Sequence, residues 1–185
     1  MCGISGAVRR IPDGGEMASR PRSEKIAEVV RRITAAQLHR GPDGSGFWQS
    51  SGQEVVFGHR RLAILDLSEA GAQPMVDGDS GCAITFNGEI YNFAEIRRDL
   101  EALGEGFRSS CDTEVILKAY KRWGIEAVGR FRGIFALALW DPRSRAVHLV
   151  RDPMGIKPLY WTTIRDGDTG EEVVLFSSEV RALLA

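Results

Sequence analysis

Met1-Cys2-Gly3-Ile4-Ser5-Gly6 opens the chain, and the reading of these six residues decides the fold. Removal of Met1 would make Cys2 the first residue, with a thiol and a free α-amine on one amino acid. An ordinary α-amine titrates at about pH 7.7–8.0, so part of it is an uncharged base at neutral pH. A thiol beside such a base is an activated nucleophile. Cys2 is small enough for Met1 to be removed ahead of it, and Gly3 and Gly6 would let a substrate come close to the backbone. The competing reading is an incidental cysteine on a frayed terminus.

Outward from this stretch, composition narrows the options. A chain of 185 residues reads as one domain with a full core. Its net charge of -1 lacks the basic excess that nucleic acid or an anionic membrane would require. No apolar run approaches the roughly 18 residues of a membrane span. No basic-then-apolar signal segment opens the chain. Cys2, Cys82 and Cys111 are too scattered for a disulfide framework, and none forms a CxxC pair for zinc. A reduced, cytoplasmic location is expected.

Residues 3–10 read as a strand, followed by a polar loop over 12–22. Ser23 suits a helix N-cap, with Ile26, Val29, Val30, Ile33 and Leu38 at helical spacing and a stop near His39 before Gly41-Pro42. Strands are expected around Phe47-Trp48, from Glu54 to Leu65, and from Cys82 to Phe86, the last ending in an Asn87-Gly88 turn. Amphipathic helices follow over Phe93–Leu103 and from Asp112, a candidate cap, to Trp123. Two hairpins come next, Ile134–Trp140 with Ala146–Val150, and Leu159–Ile164 with Val173–Phe176. Ser178 would cap a final helix. Strands in hairpins with helices between them predict an α+β fold of antiparallel sheets.

Four polar clusters sit at predicted strand ends. His39-Arg40-Gly41-Pro42-Asp43-Gly44-Ser45-Gly46 reads first as a helix stop and a loop. Arg61 lies in an otherwise apolar strand, and its guanidinium could hold a carboxylate through two parallel hydrogen bonds. Asn87 beside Gly88 offers a side-chain NH2 and a backbone N–H, the two donors of an oxyanion hole. Asp112 could cap a helix and still accept from an ammonium group. Gly78-Asp79-Ser80-Gly81 resembles a serine-protease segment without the flanking pattern. Spacing alone leaves open a Cys/His pairing of Cys2 with His39, His59 or His148. No GxxxxGK[ST] phosphate loop is present.

MCGISG, HRGPDGSG, GHRRLAILD, AGAQPM, FNGEIYN, DTEVIL, GIFALALWD and RDPMGIKPLYW occur here in the order found in class II glutamine amidotransferase domains. The chain most resembles the amino-terminal glutaminase domain of glutamine-hydrolysing asparagine synthetases, from Met1 through FSSEVRALL. The resemblance implies an N-terminal-nucleophile hydrolase fold, a four-layer αββα sandwich of two antiparallel sheets filling residues 1–185. It also implies loss of Met1, with Cys2 as nucleophile on the side-chain amide of L-glutamine and its own amine as base. Asn87 and Gly88 would hold the oxyanion. Arg61 would bind the α-carboxylate of glutamine, and Glu89 with Asp112 its α-ammonium. Backbone groups of Leu62, Ala63, Ile64 and Leu65 would line the pocket. No metal or other cofactor is implied for this domain.

ATP and Mg2+ belong, in that family, to a C-terminal synthetase domain with an SGGxDS-type loop, which this sequence lacks. The resemblance therefore implies one domain of a longer ligase that amidates aspartate, with the synthetase domain as partner and a homodimer as an option for the full-length protein. Two further readings stay open. The same glutaminase could feed another acceptor, such as a peptide, sugar or secondary metabolite, or the domain could be a catalytically silent interaction module.

Overall fold

A computed structural model describes residues 1–10, 23–62, 71–167 and 170–185. In chain order its elements are β1 (Gly3–Arg9), α1 (Ser23–Ala36), β2 (Gly44–Gln49), β3 (Val55–Arg61), β4 (Met75–Val76), β5 (Ala83–Ile90), α2 (Phe93–Ala102), α3 (Asp112–Trp123), β6 (Gly133–Asp141), β7 (Ala146–Arg151), β8 (Tyr160–Arg165), β9 (Glu172–Ser177) and α4 (Val180–Leu183). Short 3-10 turns follow α1 at Leu38–Arg40 and α3 at Gly124–Arg130. One sheet has the order β2-β3-β1-β9-β8 and the other β4-β5-β6-β7. Every pairing is antiparallel.

Side-chain alternation along the strands builds three apolar layers. On the outer face of the first sheet, Ala7, Val56, Val173 and Leu175 bury Ile26, Val30 and Ile33 of α1 with Ala182 of α4. Between the sheets, Val55, Phe57 and Phe176 meet Ala83, Ala138 and Trp140. On the outer face of the second sheet, Ile84, Leu137 and Leu139 pack against Leu100 of α2 and Val115 and Ile116 of α3. Each large side chain buried this way contributes roughly 1.5–3 kcal/mol. Helix, sheet, sheet, helix is the αββα sandwich expected from the sequence.

Four local expectations are corrected. Asn87-Gly88 is not a turn, because β5 runs on to Ile90 with Asn87 opposite Ala136 and Gly88 opposite Phe135. A Cβ at Gly88 would run into the Ile134 carbonyl and the Phe135 backbone, so this glycine serves a close strand approach. Helix α1 ends at Ala36, where Gln37 leaves the helix and its Nε2 donates to Ile33 O and Ile4 O, both at 3.3 Å. Ser178 does not cap α4, whose N-cap is Glu179; its Oγ accepts from Ile4 N–H at 3.0 Å instead. The space over Gly6 is filled by the Phe176 ring and that over Gly3 by Gln37, so neither glycine admits a substrate. The polar loop 12–22 lies outside the described residues.

The contents of the gap between the sheets change along its length. Residues two apart share a face, so Phe57, His59 and Arg61 line one wall, and Ala83, Thr85, Asn87 and Glu89 the other. The gap is apolar at Phe57 and Ala83, buried but polar at His59, Thr85 and Asn87, and open at Arg61 and Glu89. Thr85 Oγ1 donates to Gly58 O at 3.3 Å across it.

Candidate active site

A cleft of about 140 Å³ opens where the gap meets solvent. Cys2, Arg61, Leu62, Asn87, Gly88, Glu89 and Asp112 all line it, so the fold brings these sequence-selected residues together. Ala63, Ile64 and Leu65 lie outside the described residues. The strand expected from Glu54 to Leu65 is described as β3, Val55–Arg61.

Cys2 is held from several sides. Its carbonyl accepts from Arg40 Nε at 3.0 Å, and Arg40 Nη1 reaches Glu179 Oε1 at 3.1 Å. Leu62 N–H donates to the Cys2 Sγ at 3.4 Å, and the thiol lies 3.8 Å from Leu62 O. Gly3 pairs with Arg60 and Ile4 with His59, so strand pairing begins directly after the cysteine. That density of contacts rules out a frayed terminus. Met1 is 57% exposed.

The opposite wall is a strand with an open edge. Strand β4 pairs Met75 with Ile84 and Val76 with Ala83, so among the described residues no strand accompanies β5 beyond it. Phe86 N–H donates to Gln73 Oε1 at 2.6 Å and Ile90 N–H to Asp112 Oδ2 at 3.0 Å, both on that edge. N–H groups of an antiparallel strand alternate between its two neighbours, so Gly88 N–H, midway between these two, is turned to the same open edge. Asn87 is 2% exposed, and its Nδ2 has no hydrogen-bond partner among the described residues. A buried donor left unpaired in a cleft costs stability and marks a place for an acceptor.

Charge is distributed in a matching way. Arg61 ends β3, half-buried, and Glu89 is exposed across from it. Asp112 is the first residue of α3 rather than its N-cap, which is Cys111. Burial raises the Asp112 pKa, opposed by the Ile90 N–H. His59 is fully buried, and burial together with the Arg61 charge lowers its pKa to about 4, against the pull of its bond to Phe86 O. The ring is therefore neutral. Its Nε2 lies 3.2 Å from Phe86 O, which can only accept, so Nε2 carries the hydrogen and Nδ1 is a bare acceptor.

Sequence reasoning raised His59 only as one of three possible partners for Cys2 and Arg40 only as part of a loop cluster, and it gave no role to Gln73, Thr113 or Lys157. Arg40 holds Cys2, and the other four line the cleft. His39 pairs with Glu179 at 2.8 Å and His148 with Tyr120 at 3.0 Å, so neither serves Cys2. Ser80 is a turn residue whose N–H and Oγ both donate to Asp77 Oδ2. No cluster of three or more His, Cys, Asp or Glu side chains able to hold a metal ion occurs among the described residues.

The model of the glutamine amidotransferase domain family matches residues 1–185. Asparagine synthetase [glutamine-hydrolyzing] 1 of Bacillus subtilis is 40% identical over 184 residues, all of this chain and 27% of that protein. Amidase chry2 of Gibberella zeae is 32% identical over 185 residues, again all of this chain and 26% of that protein. The chain thus spans about a quarter of the length of these relatives. Among solved structures, the glutamine phosphoribosylpyrophosphate amidotransferase of B. subtilis superposes with a TM-score of 0.75 at 20% identity, over 98% of this chain and 42% of that one. The αββα sandwich is that N-terminal-nucleophile hydrolase fold, and the chain belongs to the glutamine amidotransferase domain family.

Proposed function

We propose that this domain hydrolyses the side-chain amide of L-glutamine through Cys2 after Met1 is removed. One observation carries the reading: the Cys2 thiol shares a cleft with the buried, unpaired Nδ2 of Asn87. The freed α-amine of Cys2 takes the thiol proton, and the thiolate attacks the amide carbon. Asn87 Nδ2 and Gly88 N–H receive the oxyanion. The protonated amine gives its proton to the departing ammonia, leaving a γ-glutamyl thioester. Water, deprotonated by the same amine, attacks the thioester and releases glutamate.

Recognition of free glutamine needs one cation and nearby anions, because the substrate is a zwitterion. Arg61 meets the α-carboxylate, and Asp112 with Glu89 the α-ammonium. The Leu62 backbone, with that of Ala63, Ile64 and Leu65, lines the pocket.

The ammonia is passed, in this reading, to a synthetase domain that uses ATP and Mg2+ to amidate aspartate, in the cytoplasm. The asparagine synthetases among the relatives support that acceptor. A relative named as an amidase at 32% identity favours, as second reading, another acceptor for the same ammonia. No helix among the described residues is long and apolar enough to cross a membrane.

Intact mass and peptide mapping after exposure to diazo-oxo-norleucine test the chemistry. One adduct on Cys2, in protein lacking Met1, is the expected result. An adduct on Cys82 or Cys111 instead overturns the mechanism.

A further inference from the structure

Phe86 sits immediately before Asn87, and β4 does not extend to it, so among the described residues its backbone N–H and C=O face an edge with no strand. Phe86 is 3% exposed, and unpaired backbone groups at that depth would be strongly destabilising. Two side chains replace the missing strand. Gln73 Oε1 accepts from Phe86 N–H at 2.6 Å, and His59 Nε2 donates to Phe86 O at 3.2 Å. They come from opposite sides. His59 belongs to β3, two residues before Arg61 and three before the Leu62 N–H that contacts the Cys2 sulfur. Gln73 also donates from Nε2 to Thr113 Oγ1 at 3.3 Å, next to Asp112 at the start of α3.

We propose that His59 and Gln73 are positioning residues that clamp Phe86 and thereby aim Asn87 and Gly88 at the atom attacked by Cys2. This rests on the glutaminase reading above. His59 ties the oxyanion strand to the strand beside the nucleophile, and Gln73 ties it to the helix that carries Asp112. The three parts of the site are thus referenced to one residue. A neutral His59 suits the task, because a ring of fixed tautomer always presents its N–H to the Phe86 carbonyl. Its contact with Phe86 crosses from one sheet to the other, so losing it lets the two sheets shift at the cleft while the apolar core beyond Phe57 stays packed.

The test uses His59→Phe and Gln73→Leu, which keep bulk but lose the hydrogen bonds, and His59→Gln, whose amide N–H can reach Phe86 O. In the 185-residue chain lacking Met1, each apolar variant should lower kcat for glutamine hydrolysis about 10- to 100-fold with KM within about twofold. His59→Gln should recover most of the loss. In parallel, NMR on 15N-labelled protein should show the Asn87 side-chain amide and Gly88 N–H resonances displaced in both apolar variants and returned in His59→Gln. Wild-type resonances for Asn87 and Gly88 in both apolar variants overturn the clamp, as does a rise in KM with unchanged kcat. If the unmutated chain releases no ammonia from glutamine, the glutaminase reading fails, and the resonances alone then decide the clamp.

Discussion

Cys82, Tyr120, Asp141 and His148 form a cluster as rich in reactive side chain types as the cleft around Cys2, and the two are wired in opposite ways. In the first, the Tyr120 hydroxyl donates to Asp141 Oδ2 at 3.1 Å and lies 3.0 Å from His148 Nε2. Cys82 Sγ lies 3.9 Å from Asp141 Oδ1, which also accepts from Arg143 N–H and Nε. None of these side chains carries a buried, unpaired nitrogen or oxygen. Burial pushes the Cys82 thiol up, so it stays protonated and inert. Burial, then the Asp141 charge, pushes Tyr120 up to about 12. Around Cys2, by contrast, Asn87 Nδ2 and His59 Nδ1 are buried with no partner among the described residues, and a cleft lies before them. Residue types do not separate a site from a structural knot. Unsatisfied hydrogen-bonding capacity facing open space does.

The comparison breaks most sharply at the two cysteines. Cys2→Ala should lower glutamine-dependent ammonia release at least about 1000-fold, since nothing else in the mechanism replaces the nucleophile. Cys82→Ala should leave kcat within about twofold in the same assay, because its thiol touches no cleft atom. Equal losses from both would erase the distinction. One step smaller, Asn87→Ala should cost about 100- to 1000-fold in kcat, as for an oxyanion donor. The thermal midpoint should hold or rise, because the donor removed has no partner among the described residues and its burial costs stability. Tyr120→Phe should do the reverse. Loss of its hydrogen bond to a charged carboxylate should cost about 1–3 kcal/mol of stability in denaturant titrations, with ammonia release unchanged. Smaller again is Arg61→Lys, which keeps the charge and loses the planar fork. KM for glutamine should rise roughly tenfold, the equivalent of one charge-assisted hydrogen bond, with a much smaller change in kcat. An unchanged KM would remove Arg61 from carboxylate binding.

Sequence reading reached one cluster better than the other for a physical reason. Cys2, Arg61, Asn87, Gly88 and Asp112 are legible because each falls in one of the short ordered motifs, which carry a role that the residue type and its neighbours alone leave open. The α+β class with antiparallel sheets was legible from hairpins and alternation, and the four-layer sandwich from the family resemblance. The path of β5 was not, since Asn-Gly is a turn signal within four residues while the β6 register that keeps it extended is set more than forty residues away. The contacts of Arg40, His59 and Gln73 were not legible either, because each is made far along the chain. Their partners, Cys2 O, Phe86 O and Phe86 N–H, lie 38, 27 and 13 residues off in sequence, and only the tertiary fold brings them together: packing of one sheet on the other for His59, and the approach of the chain beside β1 and before β4 for Arg40 and Gln73.

The prediction that addresses both clusters in a single experiment is the pH dependence of stability. His59 has its pKa lowered in the fold, from about 6.5 to about 4, by burial and the Arg61 charge. The unfolded chain therefore binds a proton on His59 before the folded one does. Its contribution is complete above pH 6.5 and is lost as pH falls toward 4. Tyr120 has its pKa raised, from 10 to about 12, so its contribution is complete below pH 10 and is lost as pH rises through 12. Urea midpoints measured from pH 4 to 11 should therefore fall at both ends. His59→Gln should flatten the acid limb between pH 6.5 and 4 and leave the alkaline limb intact. Tyr120→Phe should flatten the alkaline limb above pH 10 and leave the acid one. An acid limb unchanged by His59→Gln would mean that the histidine beside the oxyanion strand is solvated rather than sealed between the sheets. The contrast between the two clusters would then lose its second unpaired atom and rest on Asn87 alone.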